Sequence, residues 1–180
     1  MSHRINYFRL IRTLALPGLA LILFSFSGCT KKASASRSAT EARPAARYPS
    51  TAPSGPGNEA AGILYYVNLH RHLIGLPPLQ MDKVESSVAA RHSRDMATGK
   101  VPFGHMGLQS RVDAIKRQLG NVLAQGENVA YGQRSPREVV ADWLESPGHR
   151  ANIEGNFRLT GIGLARDSKG VIYYTQIFTR

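Results

Sequence analysis

An α+β fold is predicted for residues 58–180, because segments with helix-like spacing of apolar residues come first and a pair of strand-like runs closes the chain. Those closing runs, RLTGIGLAR and VIYYTQIFTR, are joined by Asp167-Ser168-Lys169-Gly170, a hairpin signal. A further strand is expected in VLAQGENVAYG, where β-branched and aromatic residues surround a Gly-Glu-Asn centre. Helices and an antiparallel sheet are thus segregated along the chain.

The elements follow in order. Asn58 is placed to cap a helix running to about Leu73, with Ile63, Tyr66, Val67 and His70 on or near one face, and Gly75 stops it. Pro77-Pro78 keeps the next turn extended. A second helix starts at Asp82, and its apolar row of Val84, Val88, His92 and Met96 draws His92 inward as a core histidine. Gly99 ends it, and the loop KVPFGHMG carries His105. Residues 108–119 read as a third helix, closed by Gly120-Asn121. Ser135-Pro136 supplies the cap and first turn of a helix to Leu144, which buries Trp143, the only tryptophan. That helix breaks at Ser146-Pro147-Gly148, and His149 follows the break.

Upstream, residues 1–28 read as a signal peptide. Arg4, Arg9 and Arg12 precede an apolar run over 14–26, with no acidic residue before it. The run is 13 residues long, short of the roughly 20 that a spanning helix needs. Phe26-Ser27-Gly28-Cys29 resembles a bacterial lipobox, whose cysteine is lipidated and becomes the mature N-terminus. Cys29 is the only cysteine, so a disulfide within the chain is excluded. Residues 29–57 are rich in Ala, Ser, Pro and Gly and poor in large apolar side chains, the composition of a disordered tether. The expected location is therefore the cell envelope, either anchored to a membrane through Cys29, an outer membrane where the cell has one, or secreted.

The formal charge of +11 is shared between the three leader arginines, the tether at +4 and the folded part at +4. Most of the basic excess thus lies outside the domain. With no zinc-finger spacing, helix-turn-helix signature or basic patch interleaved with aromatics, the sequence argues against nucleic acid as a partner.

Six motifs occur in register over residues 58–180: VNLHRHLIGLPPL, AARHSRDM, FGH, GENVA, W..SPGHRANI and the closing GIGLA...YYTQIF. Together they resemble the bacterial branch of the CAP superfamily, also called the SCP or PR-1-like domain. The resemblance implies an α-β-α sandwich with a small antiparallel sheet between helical layers. It also implies a cleft lined by histidines and acidic residues, which in several members holds a divalent metal such as zinc. The matching positions are His105, Glu127 and, through Ser-Pro-Gly-His, His149. Two positions depart from the pattern of many eukaryotic members: Ser146 stands where they have a second glutamate, and Tyr173 where they have a second histidine. Both changes are common in the bacterial branch.

Two imidazoles and one carboxylate from separate segments meet the three-ligand count of a catalytic zinc. They also suit an arrangement in which His105 and His149 hold the metal while Glu127 orients water or accepts a ring N–H, and this second arrangement is preferred. Each residue also has a plainer structural role. His149 can start a new helical turn, His105 can be a surface histidine, and a buried Glu127 needs polar partners in any case. The chain lacks HExxH and GxSxG, and Ser146 with His149 is only a local pair without an oxyanion hole. The expected function is a binding or interaction module acting on a wall polymer, lipid or protein. A metal-dependent hydrolase, a peptidase or wall-active enzyme using the same cleft with Glu127 as base, is the alternative.

Overall fold

Short polar side chains set the helix starts, and glycines set how closely the layers approach. The computed structural model describes residues 51–180 apart from 54 and 56. The expected signal peptide, Cys29 and most of the tether lie outside the described residues. Helix α1 (Glu59–Leu73) follows Asn58, whose side chain makes no capping bond. Strand β1 (Gln80–Met81) precedes α2 (Lys83–Ala97), which opens where Asp82 Oδ1 accepts the Glu85 N–H at 2.9 Å. Then come α3 (Leu108–Leu119) and β2 (Gln125–Tyr131). Helix α4 (Pro136–Glu145) has Pro136 in its first turn, and Ser135 Oγ accepts the Glu138 N–H at 3.2 Å. Helix α5 (Pro147–Ile153) follows at once, with Ser146 ending α4 and starting α5. Strands β3 (Leu159–Arg166) and β4 (Ile172–Thr179) complete the chain.

The strand order is β1-β3-β4-β2. β3 with β4 and β4 with β2 are antiparallel, but β1 runs parallel to β3, pairing Gln80 with Leu159 and Met81 with Thr160. The sheet is therefore mixed, where an antiparallel one is expected from sequence. A two-residue strand is too short to show alternation. What delivers it is Asn68 of α1, whose amide exchanges two hydrogen bonds with the backbone of Leu79 at 2.8 and 2.9 Å.

Alternation along the strands sends two side-chain sets to two helical layers. Ala130, Ile162, Tyr174 and Phe178 join Ile63, Val67, Val140, Trp143 and Ile153 in the larger core under α1, α4 and α5. On the other face a smaller cluster of Ala89, Ile115 and Ile177 lies under α2 and α3. The result is an α-β-α sandwich of the α+β class.

Helix α2 presents a different face from the one its apolar row suggests. His92 and Met96 are buried, but their companions are Glu85, Ala89 and Ser93, while Val84 and Val88 are only half-buried. The cause lies in β3. A Cβ on Gly161 would sit 2.1 Å from the carbonyl carbon of Glu85, and one on Gly163 would sit 2.0 Å from the Ala90 nitrogen. Glycine lets the helix backbone rest directly on the sheet, so small and polar side chains face it. Ser93 Oγ donates to the Gly163 carbonyl at 3.0 Å and shares a 2.8 Å hydrogen bond with the Thr175 hydroxyl.

Glu85 is fully buried in that interface. Thr179 Oγ1 donates to its Oε1 at 2.5 Å, and its Oε2 has no hydrogen-bond partner among the described residues. Burial pushes its carboxyl up to about 7, against the lowering effect of the Thr179 bond and with a small further rise from Asp82. The folded state thus holds a proton that the unfolded chain releases near 4.5. Its contribution to stability is complete below about pH 4.5, declines as pH rises to about 7, and changes no further above that. Glu85→Gln removes this titration. The stability difference between wild type and variant is expected to move by about 3 kcal/mol in the variant's favour between pH 4.5 and 8. Urea unfolding at both pH values reads it, and a difference that does not move would place the carboxyl in a solvated setting.

Candidate functional site

β2 is an edge strand, bonded only to β4, and its alternation points Glu127 to the α2/α3 side and Asn128 to the α5 side. The Glu127 side chain is fully buried. A carboxylate so placed requires charge-assisted partners. Arg111 of α3 supplies them in a two-pronged contact, Nε to Oε2 and Nη2 to Oε1, both at 2.7 Å. His105 Nδ1 lies 3.0 Å from the same Oε1.

The loop that brings His105 there turns at Gly104 and Gly107, which have φ of 135° and 78°. Arg111 holds the loop as well, donating from Nη1 to the Met106 carbonyl at 2.8 Å and from Nη2 to the His105 carbonyl at 3.3 Å. From the far side of the loop, His92 Nε2 bonds the Gly104 carbonyl at 2.9 Å. Burial holds the His92 pKa below its usual value, so the ring is neutral at neutral pH. His92 is thus a buried histidine that anchors the site loop.

His149 sits in the first turn of α5, half-buried. Its position depends on three contacts from neighbouring elements. Asn128 Nδ2 donates to the His149 carbonyl at 3.2 Å, and Asn152 Nδ2 ties α5 to β2 through the Glu127 carbonyl at 3.1 Å and Asn128 Oδ1 at 2.8 Å. At the other end of α5, the buried Arg71 guanidinium donates to the carbonyls of Ile153 and Gly155 at 2.6 and 2.9 Å. A cation on the last carbonyls of a helix is favourably placed. His70 Nε2, 2.8 Å from Glu154 Oε1, adds a second tie from α1.

Burial first, and then the neighbouring His105 imidazole, hold the His149 pKa below the usual histidine range. The His149 ring is therefore neutral at neutral pH, and it makes no hydrogen bond among the described residues. Because the Glu127 carboxylate can only accept, His105 Nδ1 carries the hydrogen between them, and His105 Nε2 makes no hydrogen bond among the described residues. The His105 and His149 rings are thus near enough for the charge of one to be felt by the other, and each has a ring nitrogen that makes no hydrogen bond among the described residues. On the loop that carries His105, Phe103 meets Tyr131 edge-on at 4.8 Å, and Tyr131 stacks on Tyr173 at 5.5 Å. Phe103 and Tyr131 are both about half exposed.

The structure brings His105 and Glu127 into contact and sets His149 near His105, whereas Ser146 makes no hydrogen bond to any of the three among the described residues. Arg111 and Asn152 escape the sequence reading. A buried carboxylate implies a cation, and Arg111 lies six residues beyond His105 in the first turn of a helix, so the pairing had a signal. Asn152 had a weaker one: Gly126 leaves room for it, since a Cβ there would lie 2.6 Å from Asn152 Oδ1.

For a divalent metal, the available donors are His105 Nε2 and the His149 ring. Among the described residues no group of three His, Cys, Asp or Glu side chains is placed to hold an ion. A resident zinc takes three or four protein ligands, so these residues do not fit one.

Comparison with known proteins agrees with this architecture. The model of the cysteine-rich secretory protein family, CAP, matches residues 64–178. The uncharacterized protein YkwD of Bacillus subtilis strain 168 is 36% identical over 141 residues, covering 74% of this chain and 54% of its own length. The chain thus spans about half of that relative. An extracellular SCP-domain protein from Bacillus anthracis superposes with a TM-score of 0.54 at 28% identity, covering 72% of this chain and 45% of that one. An outer surface protein from Borrelia burgdorferi shares the fold, with a TM-score of 0.59 at 17% identity over 71% of this chain and 96% of its own. Sandwich and family match lead to one conclusion: the chain belongs to the CAP, or cysteine-rich secretory protein, family.

Proposed function

We propose that this is an exported CAP-domain protein, tethered to a membrane through lipidated Cys29, whose His105/His149 cleft is a recognition site at the cell envelope. The observation that carries this reading is the state of Glu127. Both its oxygens are engaged by Arg111, and one also receives His105. Such a carboxylate orients an imidazole and is poorly placed to act as a free base. The two unbonded imidazole nitrogens and the exposed Phe103–Tyr131 edge suit a ligand with hydroxyl or amide donors beside an apolar face, as in a wall polymer or a protein segment. A divalent ion enters this reading only together with ligand groups that complete its shell.

The test mixes the full-length protein with isolated wall material, lipid vesicles, and peptide and ester substrates, with and without zinc, alongside His105→Ala and His149→Ala. Saturable binding to one of these materials is expected, weakened about tenfold in each variant, without turnover. Metal-dependent turnover lost in both variants would assign the cleft to a hydrolase instead. Binding untouched by either substitution would remove the cleft from the function.

A further inference from the structure

The turn after β2 and the turn between β3 and β4 are bonded to each other. Gly132, at φ 94°, donates its N–H to the Ile172 carbonyl at 2.9 Å, and the Tyr174 hydroxyl donates to the Gln133 carbonyl at 2.7 Å. Asp167 Oδ1 fixes the second turn by accepting the N–H groups of Lys169 and Val171 at 2.8 and 2.9 Å. Between the two turns lies a pocket of about 340 Å³, at the low end of the roughly 300–1,000 Å³ of small-molecule sites. From Glu127 to Gly132 the chain advances five residues, about 17 Å at roughly 3.4 Å per residue, so the pocket is separate from the His105/His149 cleft.

The charged lining of this pocket is entirely basic. Arg134 comes from the first turn and Arg166 and Lys169 from the second; all three are exposed, and no Asp or Glu lines the pocket. The side chains of Arg134 and Lys169 have no hydrogen-bond or ion-pair partner among the described residues. Arg166 reaches the Gly170 carbonyl at 3.4 Å and Glu59 Oε1 at 3.9 Å, the second an exposed pair of the kind that contributes little. Other carboxylates near the turns face neutral groups: Asp167 the backbone, Glu138 the Arg134 N–H at 2.8 Å, and Asp142 the Gln133 amide at 2.8 Å. Three like charges around one pocket repel one another, and a bound anion relieves that repulsion while gaining from the positive field they focus. A carboxylate has two oxygens to share among three cations, whereas a phosphate ester has three.

We propose that the pocket between these turns binds the phosphate group of a hydrophilic ligand, with Arg134, Arg166 and Lys169 sharing its terminal oxygens. The two guanidiniums supply paired, charge-assisted N–H donors, and the ammonium adds a compact charge. The carrier of the phosphate is hydrophilic because the pocket has no exposed apolar side chain to seat an acyl chain: Val171 is half-buried and Ile172 is buried. This site uses neither His105 nor His149 and goes beyond the recognition cleft. Its phosphate chemistry can come from the free ion or from a polyol phosphate.

Calorimetric titration of the full-length protein with glycerol 3-phosphate, inorganic phosphate, glycerol and acetate tests this. Saturable binding of the phosphates is expected, with acetate at least about tenfold weaker and glycerol undetectable. Tighter binding of glycerol 3-phosphate assigns the site to a polyol phosphate; equal or tighter binding of inorganic phosphate assigns it to the free ion. Arg134→Gln combined with Lys169→Gln changes two exposed side chains that bond to nothing among the described residues, so its effect is read without disturbing the fold. It is expected to weaken phosphate binding at least about tenfold, and adding Arg166→Gln is expected to abolish it. Glutamine in place of the tether cations Lys31, Lys32, Arg37, Arg43 and Arg47 is expected to leave binding as in wild type, as are His105→Ala and His149→Ala. Phosphate binding that survives the triple substitution, or that disappears with the tether cations, would locate the anion elsewhere and overturn the proposal. Acetate bound as tightly as phosphate would overturn it too, as would no phosphate binding to wild type.

Discussion

Gly163→Ala is expected to destabilise the fold by more than about 3 kcal/mol, above the usual range for one added methyl group in a core. The reason is the identity of the atoms it meets. A Cβ at 163 would lie 2.0 Å from the Ala90 nitrogen and 2.3 Å from the Ala90 Cα, both backbone atoms of α2. A side chain can rotate aside, but a helix backbone must move as a body. Such a shift would break the Ser93 bond to the Gly163 carbonyl and disturb the seat of Glu85. Thermal unfolding should fall by on the order of 10 °C. Gly148→Ala is the matched control, because its Cβ would meet nothing within 4 Å and it lies inside α5. There the change should stay within about 1 kcal/mol and favour the alanine. If Gly163→Ala melted like wild type, α2 could not lie on β3 as described.

Arg111→Met should cost about 3–5 kcal/mol, the range for stripping one partner from a buried ion pair. Glu127 would be left with a fully buried carboxylate and only His105 to answer it. Adding Glu127→Gln to Arg111→Met removes the uncompensated charge and is expected to restore at least half of the loss, which urea unfolding of the four-member cycle would measure. An additive cycle would mean that the two side chains do not share a site. The single variant should also loosen the loop over 98–107, since Arg111 bonds the carbonyls of both His105 and Met106. Hydrogen exchange in that loop should rise in Arg111→Met more than in Glu127→Gln alone.

Much of the architecture is legible from local pattern. The third helix is read at 108–119 and found at Leu108–Leu119; Asp82 and Ser135 cap where short polar side chains precede helical runs, and Asp167 organises the turn between β3 and β4 by accepting the N–H groups of Lys169 and Val171. The candidate site is less legible. Its residue types and positions stand in the motifs, and a buried glutamate in a strand announces a need for partners. Which partner answers is another matter, since several lysines and arginines follow His105 before the chain reaches β3, among them Lys116, Arg117, Arg134 and Arg150. Only the placement of α3 beside β2 selects Arg111.

By itself, then, the sequence determined the family, the class, the helix starts and stops, the closing hairpin and the segments that carry His105, Glu127 and His149. These rest on interactions a few residues long, such as caps, turns and alternation, so a short window contains their cause. The tertiary structure decided which face of α2 is buried, that a two-residue parallel strand joins the sheet, that Arg111 clamps Glu127, and that Arg134, Arg166 and Lys169 line one pocket. Each of these depends on a partner far along the chain: Ser93 meets Gly163 across 70 residues, and Glu85 meets Thr179 across 94. At that range a side chain's surroundings are set by the shape of what packs against it, and here two glycines outweigh a row of valines.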